Sequence, residues 1–176
     1  PRFRYHPVTL YGKSGPVTAV AFVDEGSSFT LVEDGLADEL GLEGPSQPLH
    51  LQWTGGVTRV EKASRSVTLT VSGKLQGHQY ALAGVKTVRK LDLPEQSLDG
   101  KALQAHYPHL RGLPLDTYSN ARPRLLIGIG HLQVGLVLKC REGAANTPVA
   151  VKSRLGWTVC GGTNQRQNVV AAQSRS

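Results

Sequence analysis

The segment Val17–Val23, VTAVAFV, limits the folds open to this chain more than any other. It is apolar at nearly every position, rich in β-branched residues, and ends abruptly at Asp24-Glu25-Gly26-Ser27-Ser28. That pattern describes a buried strand running into a turn. The period then changes: Leu31, Val32, Leu36 and Leu40 recur at helical spacing, with Gly41 where a helix C-cap would stand. Asp24 is therefore expected between a buried strand and a short helix.

Further short strands come next. Leu49 to Leu51, Trp53 to Thr58 and Arg59 to Ser72 alternate apolar and polar residues around Gly55-Gly56, the pattern of a β-hairpin, and Ser66 to Gly73 is the clearest alternating strand of all. Tyr80 to Val88 reads as another. Leu93-Pro94 opens a segment holding a second helix candidate, and Pro108, Pro114 and Pro123 break the rest of that segment into irregular chain. Arg124 to Ile129 (RLLIGI), Leu132 to Lys139 and Pro148 to Cys160 restore strands. Seven or more short strands with two helices predict an all-β, barrel-like domain.

The chain has 176 residues, 39% of them hydrophobic, which suits one domain and excludes wholesale disorder. No stretch approaches the roughly 18 uncharged apolar residues of a membrane helix, and the opening PRFRYHPVTL lacks a signal-peptide core, so a soluble, non-secreted, cytoplasmic chain is expected. It starts at Pro1 and contains no Met, which suits a piece of a longer polypeptide. The net charge of +7 permits anionic partners, but the basic residues are scattered with little aromatic interleaving, which argues against a direct nucleic-acid partner. Cys140 and Cys160 form no CxxC pair and read as reduced, buried thiols. Together with His131 they match no zinc spacing, and Gly12-Lys13-Ser14 lacks the first glycine of a phosphate loop, where Pro7 stands.

Asp24-Glu25-Gly26 closes an apolar strand, RLLIGI supplies an apolar-apolar-Gly strand far downstream, and a Gly-tipped hairpin lies some thirty residues after Asp24. These carry a resemblance. The stretches AFVDEGSSFTLVEDGLADELGLEG, LHLQWTGG, LDLPEQSL, YPHLRGLPLDTY, RLLIGIG and PVAVKSRLGWTVCGG, in that order, resemble the peptidase region of Pao/BEL-type retrotransposon polyproteins from about Val8 to Gly161. The resemblance implies a retropepsin-like closed barrel with a flap hairpin and short helices over residues 1–161. It also implies a family-specific insertion at about 92–122; the polar composition of residues 162–176 predicts a flexible tail. Asp24 takes the catalytic position, and Gly26, Ser27 and Ser28 continue the active-site loop. Trp53, Thr54, Gly55 and Gly56 take the place of the flap, and Ile127 and Gly128 that of the loop support. Glu25 departs from the pattern, because ordinary retropepsins carry there a Thr or Ser whose hydroxyl braces the two halves of the site, and a carboxylate cannot donate unless protonated.

Peptide hydrolysis of this class uses two carboxylates sharing one proton, without metal or organic cofactor. The sequence holds one Asp-x-Gly. The expectation is therefore a homodimeric aspartic endopeptidase, each chain donating Asp24 across a twofold axis and acting on polypeptide, its own polyprotein first. The alternative is a retropepsin-like fold without a working dyad that serves as a structural or binding segment.

Overall fold

The computed structural model describes residues 2–52, 55–162 and 173–174. In chain order come strands β1 (Tyr5–Tyr11), β2 (Val17–Val23) and β3 (Leu31–Glu33), helix α1 (Asp34–Glu39), and strands β4 (Leu49–Gln52), β5 (Thr58–Glu61), β6 (Ser66–Gly73), β7 (Tyr80–Val88) and β8 (Gln96–Asp99). Helix α2 (Gly100–His106), strands β9 (Thr117–Ala121) and β10 (Leu125–Ile127) and helix α3 (Leu132–Gly135) come after them. Strands β11 (Lys139–Arg141), β12 (Val149–Ser153), β13 (Gly156–Cys160) and β14 (Gln173–Ser174) complete the order. Six strands close a barrel in the order β1-β2-β10-β3-β7-β6, so the expected all-β barrel with short helices is what forms.

Strand β10 is the stave that closes it. It runs parallel to β2, Ile127 beside Val23, and antiparallel to β3, Leu125 beside Val32. Leu125 and Ile127 join the inner cluster with Val8, Val23, Leu69 and Leu82, while Leu126 between them turns outward to Tyr5, Phe22, Leu31 and Leu51. Both faces of the strand are covered, which is why RLLIGI is apolar without alternation. Burying each such side chain contributes about 1.5–3 kcal/mol.

The structure departs from expectation in four places. Leu31–Glu33 is strand, and the helix begins only at Asp34. Ladder bonds to β7 and β10 on either side outweigh the helical spacing of Leu31 and Val32. Leu132 to Lys139, expected as strand, opens as the single turn α3, which buries Val134 against the inner cluster before the chain straightens into β11. In the segment 92–122 the expected second helix forms as α2, but the chain after Pro108, expected as irregular, contains strand β9. Strands β8 and β9 pair, the Asp99 carboxylate accepts the Ala102 N–H at 3.0 Å to cap α2, and Leu98, Leu103, Leu110 and Leu113 form a third cluster against Ala150 and Val159. Cys140 is exposed on β11 rather than buried, and Cys160 is half-buried; both are free.

Hairpin β4–β5 forms as expected, with Gln52 opposite Thr58 and Leu51 opposite Arg59. Most of the tail expected to be flexible lies outside the described residues, but Gln173 and Ser174 pair with Gln52 and Leu51 of β4.

Candidate active site

The loop after β2 is tied down at Asp24, Gly26, Ser27, Phe29 and Thr30. The Asp24 N–H donates to the Ile127 carbonyl at 3.0 Å, and the Ser27 N–H closes a turn on the Asp24 carbonyl at 3.1 Å. The Asp24 Oδ1 accepts the Gly26 N–H at 3.0 Å. The Ser27 hydroxyl donates to the Phe29 carbonyl at 2.8 Å and accepts the Phe29 N–H at 3.3 Å. From the other side the Ile129 N–H reaches the Ser27 carbonyl at 2.9 Å, and the Gly128 N–H reaches the Thr30 Oγ1 at 3.1 Å. Gly128 is where the two segments touch: a Cβ there would collide with the Phe29 carbonyl oxygen and lie 2.7 Å from that of Ser27. Asp24, Ile127 and Gly128, assigned to one site from sequence, are thus brought into one hydrogen-bonded unit.

That unit presents a carboxyl group almost out of water. Asp24 is 7% exposed, and its Oδ2 is buried with no hydrogen-bond partner among the described residues. Burial raises its pKa above the ordinary 3.8; the Gly26 N–H pulls it back, and the charge of Glu25 pushes it up again. Glu25 lies at the same pocket, its Oε1 3.8 Å from Arg4 Nη1 and its side chain more than half exposed. Arg4 is largely buried, gives a 2.7 Å hydrogen bond from Nη2 to the Gly135 carbonyl, and has an Nε without a partner. Ser28 is exposed.

A pocket of about 520 Å³ opens at this carboxyl group, walled by Phe3, Arg4, Asp24, Glu25, Val137 and Cys160 among others. Gly55 and Gly56 do not line it. Both are exposed with positive φ, 93° and 80°, and a Cβ at either would meet nothing within 4 Å, so their role is backbone conformation. The base of their hairpin packs by Leu49 and Leu51 against Phe22, two residues before Asp24. Trp53 and Thr54, the other expected flap residues, lie outside the described residues. Among the described residues no group of three His, Cys, Asp or Glu side chains could hold a metal ion.

Sequence reasoning missed Arg4, Thr30 and His131. The Thr30 Oγ1 lies 2.6 Å from His131 Nδ1, and the opposite ring nitrogen lies 2.9 Å from the Ala83 carbonyl oxygen. Nothing local in the sequence signals these contacts, which join residues 48 to 131 positions apart.

Comparison of the chain with family models, with curated proteins and with solved structures finds no match in any of the three.

Proposed function

We propose that this chain is one half of a homodimeric aspartic endopeptidase of retropepsin type, the processing enzyme of a retrotransposon polyprotein. The observation that carries the reading is the buried, half-partnered carboxyl group of Asp24, with Oδ1 held by Gly26 and Oδ2 unbonded beside an open pocket. An acid raised by burial and placed in a cleft suits proton transfer. With a second Asp24 across a twofold axis, one carboxylate takes a proton from water as the water attacks the peptide carbonyl carbon. The other, protonated, gives its proton to the carbonyl oxygen. The resulting gem-diol collapses, the C–N bond breaks, and the leaving nitrogen takes up a proton.

An exposed apolar run beside the loop supports the second copy. Ile129, Leu132, Leu136, Val137 and Leu138 are each 38–51% exposed, they begin one residue after Gly128, and Val137 lines the Asp24 pocket. Such a run favours burial against another molecule, and a twofold contact would bring the two loops together. The polypeptide substrate would lie extended under the β4–β5 hairpin, bonded through its main chain.

One observation favours the second reading, a fold that serves as a structural or binding segment. The position whose hydroxyl braces dimers of this class is here Glu25, an exposed carboxylate whose ion-pair partner, at 3.8 Å, is Arg4 of its own chain. A single experiment separates the two. Peptide cleavage that disappears in Asp24→Asn, declines on dilution together with the dimer measured by sedimentation, and weakens in Val137→Asp carries the peptidase. Cleavage identical in Asp24→Asn and the native chain, or none at any concentration, leaves the structural segment.

A further inference from the structure

We propose that Thr30 and His131 are positioning residues for the Asp24 loop, an in-chain brace standing where the motif's usual hydroxyl is missing; the proposal rests on the peptidase reading. For the neutral His131 ring the placement of hydrogens has one solution. A carbonyl oxygen only accepts, so the His131 Nε2 that lies 2.9 Å from the Ala83 oxygen carries a hydrogen and donates it. In the neutral ring Nδ1 then has a lone pair, and the Thr30 hydroxyl 2.6 Å away donates to it. The same hydroxyl oxygen accepts the Gly128 N–H at 3.1 Å. Donors and acceptors run in one direction, from Gly128 to Thr30 to His131 to Ala83, and each is matched.

The relay joins the three elements whose relative placement fixes Asp24. Thr30 ends the loop and is 3% exposed; its own carbonyl accepts the Lys86 N–H of β7 at 3.0 Å. Gly128 comes directly after Ile127, whose carbonyl holds the Asp24 N–H. His131 closes back on Gly128, its N–H 3.1 Å from that residue's carbonyl, and reaches β7 through Ala83. Glu25 gives the loop no hydroxyl, and the relay adds to the Ile127 and Gly26 bonds that hold the Asp24 carboxyl group. Without the Thr30 hydroxyl the Gly128 N–H becomes a buried donor with no acceptor and His131 Nδ1 loses its donor, which frees the loop to shift. A displacement of about 1 Å at a reacting group can reduce turnover by up to about a hundredfold.

The test uses the full chain with four variants: Thr30→Val, the same shape without the hydroxyl; Thr30→Ser, which keeps it; His131→Phe, a ring without nitrogens; and the Thr30→Val/His131→Phe double variant. Two readouts are taken on folded protein, kcat and KM for a peptide substrate and the pH titration of the Asp24 carboxyl carbon by NMR. The brace requires kcat to fall about tenfold or more in Thr30→Val and in His131→Phe with KM within about twofold. It also requires recovery to within about threefold of native in Thr30→Ser, and a double variant no worse than the worse single one. The Asp24 titration midpoint should move in the same two variants and return in Thr30→Ser. An unmoved midpoint with unchanged kcat, or losses that simply add, overturns the brace. If Thr30→Val does not fold, His131→Phe decides by the same criteria. If the native chain cleaves nothing, the peptidase reading fails by itself, and the midpoint alone decides the brace: moved supports it, unmoved overturns it.

Discussion

A carboxyl group held out of water without a counter-charge opposes folding once it ionises, and Asp24 is in that position. Its folded pKa is raised above the free value, so the penalty is absent in acid, where both states are protonated, and grows as pH rises through the folded value. Asp24→Asn keeps an oxygen for the Gly26 N–H and removes the charge. It should therefore melt higher than the native chain at pH 7, with the difference gone below about pH 3.8, the ordinary value for aspartate. Equal melting temperatures at pH 7 would mean that the carboxylate is hydrated. His6 works in the opposite sense. It is 1% exposed on the inner face of β1, its Nε2 has no partner, and burial first, then the charge of Arg4, lower its pKa from 6.5 to about 3. The unfolded chain binds this proton near pH 6.5 and the folded chain only near 3, so stability is lost as pH falls between those values. The loss is at most about 1.4 kcal/mol per pH unit, or roughly 2–3 kcal/mol between pH 6.5 and 4.5. His6→Leu should flatten that slope in urea titrations at pH 7 and pH 4.5; an unchanged slope would place the acid sensitivity elsewhere. The proposed chemistry needs a proton on one Asp24, while His6 weakens the barrel in acid, so working conditions are confined to mildly acid pH.

The loop and β10 act as one element, and Gly128 is its narrowest point. Gly128→Ala puts a methyl group onto two backbone carbonyls that cannot rotate aside. The expected cost is about 1–3 kcal/mol of stability, with turnover reduced far more than that loss would explain, since the Asp24 N–H hangs on the adjacent Ile127. Native-like stability and turnover in that variant would show that the two segments are further apart. This element was also the most legible in sequence. VTAVAFV and RLLIGI are apolar at successive positions because each is covered on both faces, and the acidic turn after the first can only sit at a strand end. Alternation likewise marked β6 and β7, whose bounds agree with those expected. Leu31-Val32 misled because spacings of three and four suit a helix, while the pairing that makes them a strand comes from residues more than fifty positions away. Asp24 could be found because its chemistry is written in adjacent residues. Arg4 and His131 could not, because each acquires a role only when the closed barrel brings Gly135 or Thr30 to it.

At the scale of the molecule, three apolar clusters are layered around one barrel: an inner one, one under the β4–β5 hairpin, and one joining the 92–122 segment to β12 and β13. The exposed run from Ile129 to Leu138 lies outside all three except at Val134. The barrel does not close in the order in which its strands occur. The stave between β2 and β3 is β10, about a hundred residues further on. On a ribosome adding about 5–20 residues per second, Asp24 leaves the decoding centre roughly 5–20 s before Ile127 is joined to the chain. For that interval the residue is present but its main-chain anchor does not yet exist. On the peptidase reading proposed above, a chain still being synthesised would have no formed Asp24 loop with which to cut its neighbours, and chain topology would itself restrain cleavage. A chain ended after Pro123 should accordingly lack protection of the Ser27 amide in hydrogen exchange, and adding residues through Gly135 should restore it; equal protection in both lengths would show that the loop orders without its distant strand.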